Sequence, residues 1–212
     1  MATVVDRDFR DKHIVYTVDL DGIEISVTVT SSPGVVRRWL SSTLYFRRYY
    51  CHLHQLVVGL GVQWTPGRRC TAPDTLQLCV GRRCLIFQLR HADTVPKILR
   101  KVLNNRDHTF VGFWNHSDRI KLEGSKHELV MCRNPLDLRV YVETEDGEKL
   151  AGARVVEIVE KCLGFQVEQR KDIGMSVWED EHLSEEQVLY ATVDAYCAFL
   201  IGKNIEAWEI NK

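Results

Sequence analysis

The stretch from Ser184 to Ile201 constrains the fold more than any other part of the 212-residue chain. Its sequence is SEEQVLYATVDAYCAFLI, and Ser184 with Gln187 forms the capping box that begins a helix. Beyond the cap the helix is apolar on nearly every face, which predicts that other elements cover most of it. Tyr190 and Asp194 are four residues apart, so both project from one face. They fit either a hydrogen-bonded core pair or a metal-binding carboxylate beside a phenol that orients water.

The remaining pattern predicts an α/β fold with a mixed central sheet flanked by helices, in one domain over residues 1–212. Asp21-Gly22 joins two alternating, β-branched runs, which is typical of a β-hairpin. The apolar run LVVGLGVQW indicates a buried central strand. The predicted strands are 13–20, 23–30, 56–64, 75–80, 84–89, 110–114 and 136–142, and the predicted helices are 35–45, 95–103, 117–122 and 153–163.

Charge is distributed unevenly along the chain, although the net charge is only −1. Residues 33–106 contain 13 basic and 2 acidic residues, whereas residues 137–212 contain 8 basic and 17 acidic residues. The basic half includes four Arg-Arg pairs. They predict either a track for a phosphate backbone or contact with the acidic half, within the chain or across an oligomer. The pairs are 37–38, 47–48, 68–69 and 82–83.

Composition excludes several other classes of protein. No apolar run approaches the length of a membrane span, and the charged N-terminus lacks the apolar core of a signal peptide. We therefore expect no membrane partner and a cytoplasmic location, with the nucleus as a second compartment. Seven cysteines without a CxxC spacing predict reduced thiols. Cys79 with Cys84, and His52 with His54, lack a matching second pair of zinc ligands.

Three motifs, in order, resemble the DEDDy family of 3′–5′ exonucleases, ribonuclease H-like proteins that include ribonuclease D and the Werner-syndrome exonuclease domain. The first is VGLGVQWTP at 58–66, the second is FVGFWNHSDRIKL at 110–122, and the third is YATVD at 190–194. A K…SxW loop and an LSxxQ helix start also match. The resemblance covers residues 56–200 and implies the ribonuclease H-like (DnaQ-like) exonuclease fold.

The short length, the N-terminal hairpin at 13–30 and the GVQWTP variant resemble a plant branch of this family, the RISC-interacting clearing exoribonucleases. That resemblance implies a homohexamer with sites near subunit interfaces. It also implies single-stranded RNA as the substrate and Argonaute proteins as partners.

The resemblance also implies which residues carry the chemistry. Asp118 and Asp194 occupy positions of metal ligands, and Tyr190 occupies the position of the residue that orients the attacking water. The family pattern places Asp and Glu in the first motif, where this chain has Gly61 and Gln63. Because two of four metal-binding carboxylates are missing, we expect the divalent cation, Mg²⁺ or Mn²⁺, to bind weakly.

Three hypotheses follow from this degenerate site. The chain is a weak exoribonuclease whose missing acids come from elsewhere, or a pseudo-nuclease that binds RNA or assembles an oligomer, or a protein-interaction module. The first is favoured by the retention of both aspartates and the tyrosine. The candidate replacement acids are Asp74, the acids of 143–148 and 179–181, and acids from across a subunit boundary. Candidate nucleic-acid contacts are Trp64, Arg68, Arg69 and Lys121, although core packing is the expected role of Trp64 and of Trp114.

Overall fold

The computed structural model describes residues 1–67, 72–144 and 146–210. Within these ranges one sheet contains eight strands. The mixed sheet that the sequence pattern predicts is therefore confirmed. The strands are β1 (Ala2–Arg10), β2 (His13–Leu20), β3 (Ile23–Thr30), β4 (Leu56–Gln63), β5 (Thr75–Val80), β6 (Arg83–Phe87), β7 (His108–Gly112) and β8 (Leu136–Asp137).

The order of strands across the sheet is β1-β2-β3-β6-β5-β4-β7-β8. The first three strands form an antiparallel meander, and β3 then pairs in parallel with β6. Strands β6, β5 and β4 are antiparallel to one another, whereas β4, β7 and β8 are parallel. Every residue of β4 except Gln63 is buried, as its continuous apolar run predicts.

The helices pack on the sheet, and their buried apolar residues join those of the strands in one core. They are α1 (Pro33–Phe46), α2 (Arg48–His52), α3 (Lys97–Leu103), α4 (Asp118–Glu123), α5 (Leu138–Tyr141), α6 (Val155–Leu163), α7 (Lys171–Gly174), α8 (Glu185–Asn204) and α9 (Ala207–Ile210). In the described residues, no helix is long and apolar enough to cross a membrane.

Helix α8 packs directly on the central strand β4. The Ser184 hydroxyl accepts from the Gln187 amide at 3.2 Å, and the Ser184 amide donates to the Gln187 side chain at 2.9 Å. The predicted capping box is thus present. At Gly59 a Cβ atom would overlap the Ala195 carbonyl oxygen. Only glycine permits this close approach of the α8 backbone to β4.

Two sequence predictions about strands need correction. The sequence predicts one strand over 136–142, but only Leu136–Asp137 is a strand, and a helical turn follows it. The Asp137 side chain accepts from the Arg139 amide at 3.2 Å, which begins that turn. The sequence does not predict strand β1, because this segment lacks the alternating apolar residues of a half-buried strand. In the structure most of its residues are exposed.

The prediction of reduced thiols is wrong for one pair of cysteines. Cys79 and Cys84 lie directly opposite each other in the β5–β6 register and form a disulfide with a Cα–Cα separation of 4.2 Å. Their spacing places them across a tight turn, which brings the side chains to the same face of the sheet. The cysteines that the structure describes as free are Cys51, Cys132, Cys162 and Cys197.

Candidate active site

A pocket of about 1,020 Å³ opens where β4, α4 and α8 meet. The end of β4 contributes Gly61 and Gln63, and the first turn of α4 contributes Asp118. Helix α8 contributes Tyr190 and Asp194 from its N-terminal half. Residues that lie more than 100 positions apart in sequence thus line one pocket, as their places in the three motifs predict.

The two aspartates form the electrostatic centre of the pocket. Asp118 is only 4% exposed; burial first, and then the nearby Asp194 carboxylate, raises its pKa to about 7. Lys121 opposes this increase in the Asp118 pKa. Burial also raises the pKa of Asp194 to about 7. The site therefore retains protons near neutral pH unless a cation compensates the carboxylate charge.

Gln169 supports Asp194 from the loop that precedes α7. Its Nε2 atom donates to Asp194 Oδ1 at 3.4 Å and to the Tyr190 carbonyl oxygen at 3.2 Å. These contacts attach the loop to α8 and leave the second Asp194 oxygen without an assigned partner in the described ranges. Gln169 is a neutral donor, so it orients Asp194 without supplying the missing positive charge.

Tyr190 is fixed by contact with α7. A Cβ atom at Gly174 would lie 2.6 Å from the Tyr190 hydroxyl, so the hydroxyl rests against the Gly174 backbone. The Trp178 ring lies 6.2 Å from the Tyr190 ring, and Trp178 Nε1 donates to the Gly174 carbonyl at 3.2 Å. Burial and the Asp194 charge raise the pKa of Tyr190 to about 12. The phenol is therefore a hydrogen-bond donor at neutral pH, not a base.

The space beside Gly61 is filled by Gln77. These residues are direct partners in the β4–β5 register, and a Cβ atom at position 61 would lie 2.8 Å from Gln77 Oε1. Gln77 is 1% exposed, and its Nε2 atom donates to Thr75 Oγ1 at 2.6 Å. Its Oε1 atom has no hydrogen-bond partner in the described part of the chain. The first-motif aspartate is thus absent, and another side chain occupies its place.

None of the proposed replacement acids completes the site from within the described residues. Asp74 accepts from the Thr65 amide and hydroxyl at 2.7 and 2.8 Å and does not line the pocket. The segments 143–144, 146–148 and 179–181 do not line it either; Glu145 lies outside the described ranges. Glu168 lines the pocket as an exposed residue. No cluster of three His, Cys, Asp or Glu side chains suited to a metal occurs in the described residues.

The donor set therefore fits one divalent cation and does not fit two. Asp118 and Asp194 supply hard oxygen ligands. Burial raises the pKa of both carboxyl groups to about 7, so their negative charge lacks a compensating cation. The two positions that would complete a second carboxylate pair are glycine and glutamine. Water and amide oxygens are the ligands available for the remaining coordination.

Two tryptophans flank the aspartates, each beneath a cation. The Lys121 ammonium lies 4.1 Å from the Trp64 ring centroid, and the Arg139 guanidinium lies 3.3 Å from the Trp114 centroid. The sequence predicts core packing for Trp114, but this side chain is 54% exposed with a positive φ of 52°. The structure places Lys121 beside both Asp118 and Trp64. Arg68 and Arg69 lie outside the described residues.

The aspartate pair predicts an unusual dependence of stability on pH. Each carboxyl has a folded-state pKa of about 7 against an ordinary value of 3.8, so folding favours its protonated form. Without a cation, this contribution to stability is present at low pH and is lost as pH rises towards 7. In EDTA, the melting temperature of the wild type should therefore fall by at least about 2 °C relative to Asp118→Asn/Asp194→Asn between acidic and alkaline pH.

Differential scanning calorimetry of both proteins measures this difference, and the double variant cancels the contributions of other titrating groups. Addition of Mn²⁺ at alkaline pH should raise the melting temperature of the wild type only. Parallel plots of melting temperature against pH for the two proteins would contradict the raised pKa values of the two aspartates.

Sequence reasoning missed Gln77, Gln169 and Gly174. Gln77 becomes significant only through its register with Gly61, and register is not visible in a single sequence. Gln169 lies in a loop without a periodic pattern. Gly174 lies between Lys171 and Trp178, inside the K…SxW loop, so this motif was the available signal for it.

A mixed sheet with a buried helix packed on it, and two helix-borne aspartates and a tyrosine in a pocket beside the end of β4, is the arrangement of a ribonuclease H-like exonuclease domain. Comparison with known families agrees: the sequence model for the 3′–5′ exonuclease family matches residues 46–207. The chain belongs to this 3′–5′ exonuclease family.

Individual relatives share less than a third of their aligned residues with this chain. The chain is 29% identical over 173 residues to the mouse bifunctional 3′–5′ exonuclease/ATP-dependent helicase WRN, covering 74% of this chain and 12% of that protein. It is 29% identical over 198 residues to a 3′–5′ exonuclease of Drosophila grimshawi, covering 88% of this chain and 56% of the relative. The chain thus spans only part of the curated relatives it matches.

Solved structures show the same fold. The Aedes aegypti Nibbler EXO domain aligns with a TM-score of 0.67 at 19% identity, covering 86% of this chain and 88% of that one. Escherichia coli RNase D aligns with a TM-score of 0.60 at 16% identity, covering 76% of this chain and 42% of that one. At these identities the likeness concerns the fold.

Proposed function

We propose that this chain is a 3′–5′ exoribonuclease that removes nucleotides from the 3′ end of single-stranded RNA and uses one divalent cation. The observation that carries the proposal is the convergence of Asp118, Tyr190 and Asp194 in one pocket. If the pocket served packing alone, the two aspartates would only destabilise the fold, since buried carboxylates that repel each other are costly. Together with Tyr190 they are the groups that phosphodiester hydrolysis uses.

Asp118 and Asp194 would hold the cation, Mg²⁺ or Mn²⁺. When bound, such an ion lowers the pKa of its water and compensates charge on the phosphate. Gln169 holds Asp194 in place through its 3.4 Å hydrogen bond. The mutual repulsion of the aspartates favours binding of a positive charge, but the lack of first-motif carboxylates keeps the affinity low.

Tyr190 would donate its hydroxyl hydrogen bond to the attacking water. Because its pKa is about 12, the group keeps its proton throughout the neutral range. Contact with the Gly174 backbone fixes the hydroxyl in the pocket. Its role is to orient the water, and the carboxylate of Asp118 or Asp194 would accept the proton that the water loses.

Gly174→Ala tests this positioning role. The new methyl group would lie 2.6 Å from the Tyr190 hydroxyl, so the phenol or α7 must shift. We expect the rate of hydrolysis to fall by about 100-fold, which is the cost of displacing a reacting group by roughly 1 Å. Gly152→Ala is the matched control, since a Cβ atom there meets nothing within 4 Å. Equal rates for the two variants would exclude a role for the Gly174 contact.

The surface around the pocket supports a single-stranded polyanion as substrate. Trp64 and Trp114 present aromatic rings beside the aspartates, and aromatic rings stack on unpaired bases. Lys171 lines the same pocket and forms no assigned ion pair in the described ranges, so it is available to a phosphate. RNA is further supported by the fold relative RNase D, which is described as an exoribonuclease involved in structured RNA processing.

The direct test uses 5′-labelled single-stranded RNA with a free 3′ hydroxyl, incubated with the chain and Mn²⁺. We expect a ladder that shortens from the 3′ end. Circular RNA of the same sequence should remain intact because it has no 3′ end, and the matching single-stranded DNA should shorten more slowly. Cleavage of the circle would contradict the exonuclease assignment, and faster cleavage of the DNA would contradict the RNA preference.

One observation favours a second candidate, a pseudo-nuclease that binds RNA without cutting it. Gln77 Oε1 lies 2.8 Å from the place of a Cβ atom at position 61, so a first-motif carboxylate there would have to displace it. On this alternative, linear RNA is retarded on a native gel but stays full length in Mn²⁺. The same incubation therefore separates the two candidates.

We extend the proposal to a setting in small-RNA clearance, in the cytoplasm and the nucleus, on the resemblance of GVQWTP to the RISC-interacting branch. This extension includes a homohexamer and contact with Argonaute proteins. Light scattering should then give a mass six times the 24.5 kDa of one chain. A monomeric mass at micromolar concentration would contradict the hexamer.

A further inference from the structure

A second cavity, of about 540 Å³, opens at the other end of β4. It lies between the C-terminal half of α8 and the turn that joins β5 to β6. Leu56 and Val57 line it from the start of β4, whereas Gly61 and Gln63 line the aspartate pocket from the end of that strand. The two cavities share no lining residue, so this distal cavity is a separate site.

The interior of the distal cavity is apolar, with two accessible aromatic rings. Phe199 and Leu200 of α8 contribute apolar surface beside β4. Tyr50 of α2 is 37% exposed, and Trp208 of α9 is partly exposed. The volume of the distal cavity falls within the range of roughly 300–1,000 Å³ that is typical of small-ligand sites. Such walls suit a planar, partly apolar group such as a nucleobase.

The charged residues that line the distal cavity are all basic. Arg47, Arg82 and Lys203 have no assigned ion pair or side-chain hydrogen bond in the part of the chain that the structure describes. Arg83, by contrast, donates to Ser42 Oγ at 3.0 Å and lies over the Trp39 ring. Three cations without compensating acids repel one another, which favours binding of an anion.

The fold brings two distant Arg-Arg pairs together at this site. The Arg47 guanidinium occupies the place of a Cβ atom at Gly81, directly beside Arg82 in the β5–β6 turn. Arg82 in turn is close enough to the Tyr196 phenol to lower the pKa of that group, against the larger effect of burial. Arg47, the C-cap residue of α1, and Arg82, in the β5–β6 turn, therefore converge on the cavity from two directions.

We propose that the distal cavity binds one nucleotide of a single-stranded nucleic acid, with the phosphate at Arg47, Arg82 and Lys203 and the base against Tyr50 and Trp208. This combination of planar cations and aromatic faces matches both halves of a nucleotide. An acidic segment of a second copy would satisfy the cations but would leave the aromatic rings without a stacking partner. Binding at this site requires neither the aspartates nor hydrolysis.

The test is photo-crosslinking with 8-azidoadenosine 5′-monophosphate in EDTA, followed by mass spectrometry of the labelled peptides. We expect label on the peptides of Tyr50 or Trp208, and competition by adenosine 5′-monophosphate but not by adenosine. Arg82→Gln/Lys203→Gln should reduce that labelling by roughly 10-fold or more, because hydrogen bonds to a charged group are lost. Arg37→Gln/Lys101→Gln is the control, since it removes the same charge from exposed positions outside the cavity.

Three outcomes would overturn the proposal. Label confined to the aspartate pocket would show that the distal cavity takes no nucleotide. Equal labelling of the two double variants would show that its cations do not recognise phosphate. Self-association that Arg82→Gln/Lys203→Gln abolishes, without any labelling of the cavity by the probe, would assign the surface to a second copy of the chain. Because EDTA removes the divalent cation, a failure of nucleotide labelling is distinct from a failure of the proposed exonuclease activity.

Discussion

Gly61→Asp/Gln63→Glu/Gln77→Ala should raise the affinity of the chain for Mn²⁺ by more than about 100-fold. The two new carboxylates restore oxygen ligands on the face of β4 that lines the pocket. Gln77→Ala makes room for the new side chain, since Gln77 Oε1 lies 2.8 Å from the place of a Cβ atom at position 61. Isothermal calorimetry with Mn²⁺ measures the affinity, and the rate on single-stranded RNA should increase with it.

The informative control is Gly61→Asp/Gln63→Glu with Gln77 retained. We expect a much smaller gain in Mn²⁺ affinity for this double variant, because the buried amide must first leave its hydrogen bond to Thr75. Gln77→Ala alone should leave the affinity unchanged, since it adds no ligand. If the double variant binds Mn²⁺ as tightly as the triple variant, Gln77 is not the obstacle that the geometry describes.

Asp194→Asn should lower the rate of RNA hydrolysis by more than about 100-fold. The substitution keeps the shape of the side chain and its contact with Gln169, but it removes one of the two charges that hold the cation. RNA binding on a native gel should change little, because the aromatic rings and Lys171 remain. Single-turnover kinetics with excess protein measures the hydrolytic step directly.

Glu185→Gln is the matched control for this loss, because Glu185 is an exposed acid on the same helix and pairs with Arg7 at the surface. It should hydrolyse RNA at the wild-type rate. A normal rate for Asp194→Asn would show that the observed activity comes from another site or another protein.

The sequence predicts the elements whose local pattern agrees with their tertiary surroundings. Helix α8 has a capping box and apolar residues on all sides, so both its start and its burial follow from the pattern. Strand β4 and the hairpin of β2 and β3 are equally clear. Strand β1 is different, because it is held by pairing with β2 and has little apolar pattern of its own.

The site shows the same division between local and long-range information. The motif positions of Asp118, Tyr190 and Asp194 predict a common pocket, and the structure places them in one. The sequence shows that Gly61 lacks a ligand, but it does not show that Gln77 fills the space, because this depends on cross-strand register. The sequence likewise does not show that Trp114 is exposed, with a positive φ and the Arg139 guanidinium over its ring.

The central claim is that the pocket around Asp118 and Asp194 removes 3′-terminal nucleotides with the help of one bound cation. The most direct measurement is a time course on 5′-labelled single-stranded RNA with chain that was first stripped with EDTA and then supplied with Mn²⁺. We predict no shortening after EDTA and stepwise 3′ shortening after Mn²⁺, with none in Asp118→Asn/Asp194→Asn. RNA that remains full length in Mn²⁺ while still bound to the chain would contradict the claim and would make this protein an RNA-binding relative of the exonucleases.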